Sequence, residues 1–223
     1  MTSSTDVPIR DASTIVLWRE RAAGPEVLMG QRGAAAVFMP NKFVFPGGAV
    51  DLEDAGRALA TDLTPEDAER LARRNAGPDA RTLACAAVRE LWEETGLTLG
   101  GAHPIAEAVP ESWAGFYAGG VAPRLDPLRF IFRAVTPPGR PRRFDARFFL
   151  TSAEAVLGDP DDFSGACDEL SHLHWVPLGQ ARQLALPFIT DIVLSEVEAL
   201  LAGEERPVPF FDHDAERSHF HML

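Results

Sequence analysis

Three carboxylates carry the first chemical signal in this chain. Glu90, Glu93 and Glu94 occur in the run Arg89-Glu90-Leu91-Trp92-Glu93-Glu94-Thr95-Gly96-Leu97. On an α-helix they share about 100° of arc, because each residue turns roughly 100°. Each like-charge pair at i,i+3 or i,i+4 costs roughly a few tenths of a kcal/mol. The helix dipole adds to the penalty near a C-terminus. A hard divalent cation reverses that balance, since Mg²⁺ prefers clustered carboxylate oxygens together with substrate phosphate. Arg89 precedes Glu93 by one helical turn and can orient it through an ion pair. The plain alternative is a solvated acidic helix face, the ordinary meaning of a charged run. Phe45-Pro46-Gly47-Gly48 weighs against it, because glycines after a strand let backbone approach a ligand closely. Asp51, Glu53 and Asp54 follow directly.

The elements that must position these groups are legible around them. Leu83, Ala87 and Leu91 recur at four-residue spacing and predict a helix over 82–95 with a buried face, capped by Gly96. Residues 13–18 and 26–32 read as strands about a Gly24-Pro25 turn, and Phe43-Val44-Phe45 as a short third strand. Residues 55–81 read as a surface excursion. Within it Thr64 is the N-cap and Pro65 the first position of a helix running to about Arg74. A helix is expected around 104–117. Strands are expected at 128–135, 144–150 and 170–176, then helices at 178–186 and 188–201. Residues 1–10 read as a loose arm, 11–202 as one domain and 203–223 as a polar tail. Strands mixed with helices around one core imply an α/β or α+β sandwich.

The run from Arg89 to Leu97 resembles the Nudix box, G-x5-E-x7-R-E-U-x-E-E-x-G-U, and matches every defined position of its second half. The first half starts at Gly48 or Gly47, which puts the first acidic position on Asp54 or Glu53. Thr82 to Val88 supply the seven residues before the arginine, so 55–81 stands as an insertion inside the box. That insertion, the run from Phe38 to Gly48 and the run from Arg142 to Phe149 resemble the Nudix subfamily that includes the acyl-coenzyme A diphosphatases. Where shorter coenzyme A diphosphatases place an Arg and a Gly, this chain has Val37 and Asn41. Glu169 and Trp175-Val176-Pro177 are similar to the end of many Nudix domains.

The resemblance implies a Nudix α/β/α sandwich with a mixed sheet. It also implies cleavage of the pyrophosphate bond of a nucleoside diphosphate derivative, with coenzyme A or an acyl-coenzyme A as the expected substrate. ADP-ribose or a nucleotide sugar is the runner-up, and a non-catalytic nucleotide-binding regulator the reading from another class. Arg89, Glu90, Glu93 and Glu94 are the expected catalytic residues, the three glutamates holding Mg²⁺ or Mn²⁺. The general base is left open between a helix glutamate and Glu154, Asp159, Asp161 or Asp162. Gly47, Gly48, Arg143 and Arg147 are the expected substrate contacts. Many Nudix proteins pair, so a homodimer is an open expectation.

Arginines at 124, 129, 133, 140, 142, 143 and 147 face only Asp126 and Asp145 in that stretch. They form the one locally basic region, suited to phosphate, although arginines flanking surface strands are as good an account of most of them. His172 and His174 alternate as metal ligands can, but read as exposed strand residues. His213, His219 and His221 earn no role. Cys85 reads as a packing residue, and Trp113 and Phe116 as core rather than base-stacking groups.

Composition sets the remaining bounds. The 223 residues are 46% hydrophobic and carry a formal charge of −12. That balance disfavours general binding to nucleic acid or an anionic membrane, and it demands a cation for any phosphate chemistry. Cys85 and Cys167 form no close pair, which fits a reducing cytoplasm. The polar start predicts no signal peptide.

Overall fold

The computed structural model describes residues 7–33, 39–104, 108–213 and 217–223. A mixed nine-stranded sheet is built from β1 (Ile9–Arg19), β2 (Glu26–Arg32), β3 (Phe43–Val44), β4 (Gly47–Ala49), β7 (Arg129–Val135), β8 (Arg143–Ser152), β9 (Leu170–Pro177), β10 (Pro209–His213) and β11 (Ser218–Met222). β5 (Gly100–Ala102) and β6 (Val121–Pro123) form a separate antiparallel pair. The helices are α1 (Pro65–Ala72), α2 (Ala80–Thr95), α3 (Glu111–Tyr117), α4 (Leu178–Ala181) and α5 (Phe188–Leu201).

The main path runs β11-β10-β7-β8-β1-β2-β3, with β4 also on β1 and β9 on β2. β1 lies parallel to β8 and β10 parallel to β7, while the other pairs are antiparallel. Strand alternation divides the core into two layers. Ile15, Leu17 and Phe149 pack under α2, and Val16, Phe148 and Leu150 pack with α5 residues Val193 and Val197. The result is an α/β/α sandwich. A register shift between Phe130 and Phe132 places Ile131 and Phe132 in the same layer, as a β-bulge does.

Four segments differ from their sequence expectations. Ile9 and Arg10 belong to β1 rather than to a loose arm, pairing with Arg143 and Phe144; residues 1–6 lie outside the described residues. The tail carries β10 and β11, and Phe210 and Leu223 reach the core. The helix expected at 104–117 is seen only over Glu111–Tyr117, with 105–107 outside the described residues. The helix expected at 178–186 stops at Ala181, and Pro187 then caps α5.

The excursion is mostly exposed or half-buried, as a surface excursion should be, but it is anchored at several points. Thr64 caps α1, as its sequence predicts, and Leu63 and Leu71 enter the core. Buried Asp67 accepts a hydrogen bond from the Phe130 N–H at 3.1 Å. Arg133 donates to the Arg74 carbonyl at 3.1 Å, and Arg147 to Asn75 Oδ1 at 2.8 Å. The excursion is therefore fastened to β7 and β8, and leaves the chain free to return into α2 beside β4.

Candidate active site

Helix α2 begins where Asp79 accepts the Thr82 N–H and ends where Gly96, at φ 77°, donates to the Trp92 carbonyl. Only the left-handed backbone that glycine tolerates closes the helix this way. The last two turns thus present Glu90, Glu93 and Glu94 to β4. A Cβ built on Gly48 would stand 2.6 Å from the Glu90 carboxylate, so the halves of the box meet directly and a side chain at 48 would displace that carboxylate. Gly47 donates its N–H to Glu94 Oε2 at 2.7 Å.

Arg89 holds the two halves together. Its Nε and NH2 donate to Asp54 Oδ1 and Oδ2 at 2.8 and 3.0 Å, and NH2 also reaches the Ala49 carbonyl at 3.0 Å. Its NH1 donates to Glu90 Oε1 and Glu93 Oε2. Asp54 is fully buried, and it also accepts Trp113 Nε1 and the Asp51 N–H. The first acidic position, open between Glu53 and Asp54, is therefore the one at Asp54; Glu53 instead accepts from Ser112. Trp113 and Phe116 are core residues, and burial pushes the Cys85 thiol well above its usual range.

Burial raises the Glu90 pKa to about 7, with Arg89 opposing the shift. Burial likewise holds Glu94 well above the ordinary carboxylate range, and the neighbouring Glu90 charge adds to it. For Arg89 burial works against the charge, but the Asp54 hydrogen bonds and surrounding carboxylates raise its pKa overall. Among the described residues no three His, Cys, Asp or Glu side chains stand grouped so as to hold a metal ion in their present positions. The donor set still fits a hard cation. Glu90 and Glu93 each engage Arg89 through one oxygen only, and Glu94 Oε1 is buried with no hydrogen-bond partner. A buried carboxylate oxygen without a donor is costly, and a cation removes that cost.

A cavity of about 910 Å³ opens beside the box on the α5 face of the sheet. Gly47, Gly48, Arg32 and Glu169 line one end, Phe144, Phe148 and Phe211 line the wall, and Arg10, Arg140 and Arg142 stand at the other end. Glu169 reaches this position because its loop docks on the end of α2. Cys167 donates to the Glu93 carbonyl at 3.1 Å, and a Cβ on Gly96 would meet Gly165 at 2.9 Å. Glu169 pairs with Arg32 at 3.2 Å, and its charge helps to raise the pKa of both Glu90 and Glu94.

Of the expected substrate contacts, Gly47 and Gly48 lie at the cavity, whereas Arg143 and Arg147 point to the opposite face of β8. Arg147 is 1% exposed and is engaged by Asp11, Asp145 and Asn75. Arg143 is buried and donates to the Thr136 carbonyl. The strand pleat explains the outcome, since their neighbours Arg142, Phe144 and Ala146 take the cavity side. Of the acids considered as base, Asp161 pairs with Arg19 and Arg21, and none of Glu154, Asp159, Asp161 and Asp162 lines the cavity. Val37 and Phe38 lie outside the described residues. His172 and His174 are exposed. Sequence reasoning gave no role to Arg32 or Arg10; the pleat of β1, which sends Arg10, Ala12 and Thr14 to one face, was the signal available for the second.

No family model matches the chain. A Caenorhabditis elegans protein provisionally named nudix hydrolase 7 is 30% identical over 179 residues, 75% of this chain and 51% of that protein. The chain thus spans about half the length of the curated relative it matches. The crystal structure of an Alicyclobacillus acidocaldarius NUDIX hydrolase superposes with a TM-score of 0.63 at 31% identity, covering 88% of this chain and 92% of that one. A C. elegans Ap4A hydrolase shares the fold, with a TM-score of 0.50 at 19% identity, covering 88% of this chain and all of that one. A box closed by Arg89 and Asp54, together with a relative of similar length aligned almost end to end, establishes that the chain belongs to the Nudix hydrolase family.

Proposed function

We propose that the chain hydrolyses the pyrophosphate bond of a nucleoside diphosphate derivative, using Mg²⁺ or Mn²⁺ held by Glu90, Glu93 and Glu94. The observation that carries this reading is the buried Glu94 oxygen with no hydrogen-bond partner, next to the half-buried Glu90 carboxylate whose pKa is raised. A bound divalent cation supplies charge neutralisation of the diphosphate and a more acidic water. Arg89 and Asp54 fix the helix against β4, so that the glutamates are aimed before substrate arrives. The Gly47-Gly48 backbone admits the diphosphate close to the carboxylates.

Glu169 is the acid we assign to the proton of the attacking water. It lines the cavity, stands outside the box helix and lies on a loop docked beside Glu93. Coenzyme A or an acyl-coenzyme A is the substrate favoured by the resemblance of the box insertion and of the Arg142–Phe149 run. The apolar wall of Phe144, Phe148 and Phe211 suits an adenine ring or a pantetheine arm. The test is incubation with Mg²⁺ and matched concentrations of coenzyme A, ADP-ribose and a nucleotide sugar, with products identified by mass spectrometry. Cleavage of coenzyme A at its diphosphate, faster than of the others, is expected. Preference for ADP-ribose or the sugar nucleotide moves the substrate assignment, and no cleavage of any of them overturns the activity.

A further inference from the structure

The chain is strongly acidic, and most of its arginines are spent on its own carboxylates. Arg19, Arg32, Arg70, Arg73, Arg81 and Arg89 are examples, each within 3.5 Å of an aspartate or glutamate. Arg10, Arg140 and Arg142 have no such partner among the described residues, yet all three are exposed and line the same cavity. Three uncompensated guanidinium groups repel one another, and self-association of like charge is not favoured by folding alone.

Two strands and a hairpin bring them together. Arg10 lies on β1 opposite Phe144 of β8, and Arg142 precedes β8 on the side of Phe144. Arg140 sits in the connection from β7 to β8, which also contributes Thr136 and Pro137 to the cavity. Thr14 of β1 pairs with Gly47, so the box lies four residues along the same strand from Arg10. At roughly 3.3 Å per residue the backbone of Arg10 stands about 13 Å from the level of Gly47 and about 10 Å from that of Gly48. An anion seated among these arginines therefore lies beyond a diphosphate held at Gly47 and the Glu94 carboxylate.

We propose that Arg10, Arg140 and Arg142 form a second anion subsite, which selects nucleoside diphosphate derivatives bearing a further phosphate on the ribose. This rests on the hydrolase reading above and adds the residues that set its substrate class. The apolar wall between the two ends receives the base, while the arginine forks bind the remote phosphate through charge-assisted hydrogen bonds. A ribose phosphate at the 3′ or the 2′ position offers the same chemistry, so both are tested.

The experiment is calorimetric titration of the full chain, and of an Arg140→Ala/Arg142→Ala variant, with adenosine 3′,5′-bisphosphate, adenosine 2′,5′-bisphosphate and AMP. Both arginines are exposed, so the variant is expected to fold, and its thermal unfolding is recorded alongside. One of the bisphosphates should bind the natural chain at least about ten-fold more tightly than AMP, and the variant should lose that preference. Equal binding of all three nucleotides, or a preference that survives in the folded variant, overturns the subsite. The readout does not depend on turnover. Absence of hydrolysis with the preference intact would count against the proposed activity alone.

Discussion

Arg89 and Asp54, separated by 35 positions in sequence, face each other through two parallel hydrogen bonds of 2.8 and 3.0 Å, with both side chains almost fully buried. The pair closes a box that the excursion had divided. Removing one partner leaves the other charge buried and uncompensated, which costs about 3–5 kcal/mol. Asp54→Ala is therefore expected to lower unfolding free energy by that amount in urea denaturation. A loss under about 1 kcal/mol would mean that the clasp is replaceable.

Gly48 tests how tightly β4 and α2 approach. Its Cβ would fall 2.6 Å from Cδ and both carboxylate oxygens of Glu90. Gly48→Ala must displace Glu90, and a misplacement of that order can cost about 100-fold in rate. We expect kcat to fall at least about ten-fold while thermal stability changes little. Unchanged kcat would show that Glu90 has room to move without consequence.

Arg147 is expected to act on stability rather than on substrate. It joins Asp11 and Asp145 to Asn75 of the excursion. Arg147→Met should cost about 3 kcal/mol of stability, with KM for the diphosphate changed less than about three-fold. A large KM increase with stability intact would return Arg147 to the substrate.

Glu169→Gln separates the proposed proton acceptor from the carboxylates of the helix. Loss of a general base typically lowers rate by about 100- to 10,000-fold. The expected result is such a fall in kcat, with thermal unfolding unchanged. A folded variant with the natural rate would transfer the role to the helix glutamates.

Much of the site was legible because its signals are local. The repelling glutamates, the Pro46-Gly47-Gly48 break and the Gly96 cap each state their own geometry within a few residues. The choice between Glu53 and Asp54 was not, because it depends on which carboxylate the turn after Asp51 buries beneath Trp113. Arg143 and Arg147 show a second limit. Their motif is readable, but a one-residue shift in strand phase decides which face a side chain takes, and phase is fixed by pairing with β1. The tail failed for a related reason: Pro209–His213 pairs with Ser218–Met222, and it is β7, far away in sequence, that ties this pair to the sheet, rather than any periodicity of the tail itself.

The central claim is tested most directly by hydrolysis of coenzyme A by the natural chain and by Glu94→Gln, each titrated with Mg²⁺ or Mn²⁺ and with chelator. Metal-held charge supplies several kcal/mol of transition-state stabilisation, which corresponds to about 100-fold or more in rate. The account predicts turnover that depends on the cation, vanishes in chelator and falls by at least that factor in Glu94→Gln, whose circular dichroism stays that of the natural chain. Full turnover in chelator, or an unchanged rate in the folded variant, would contradict it.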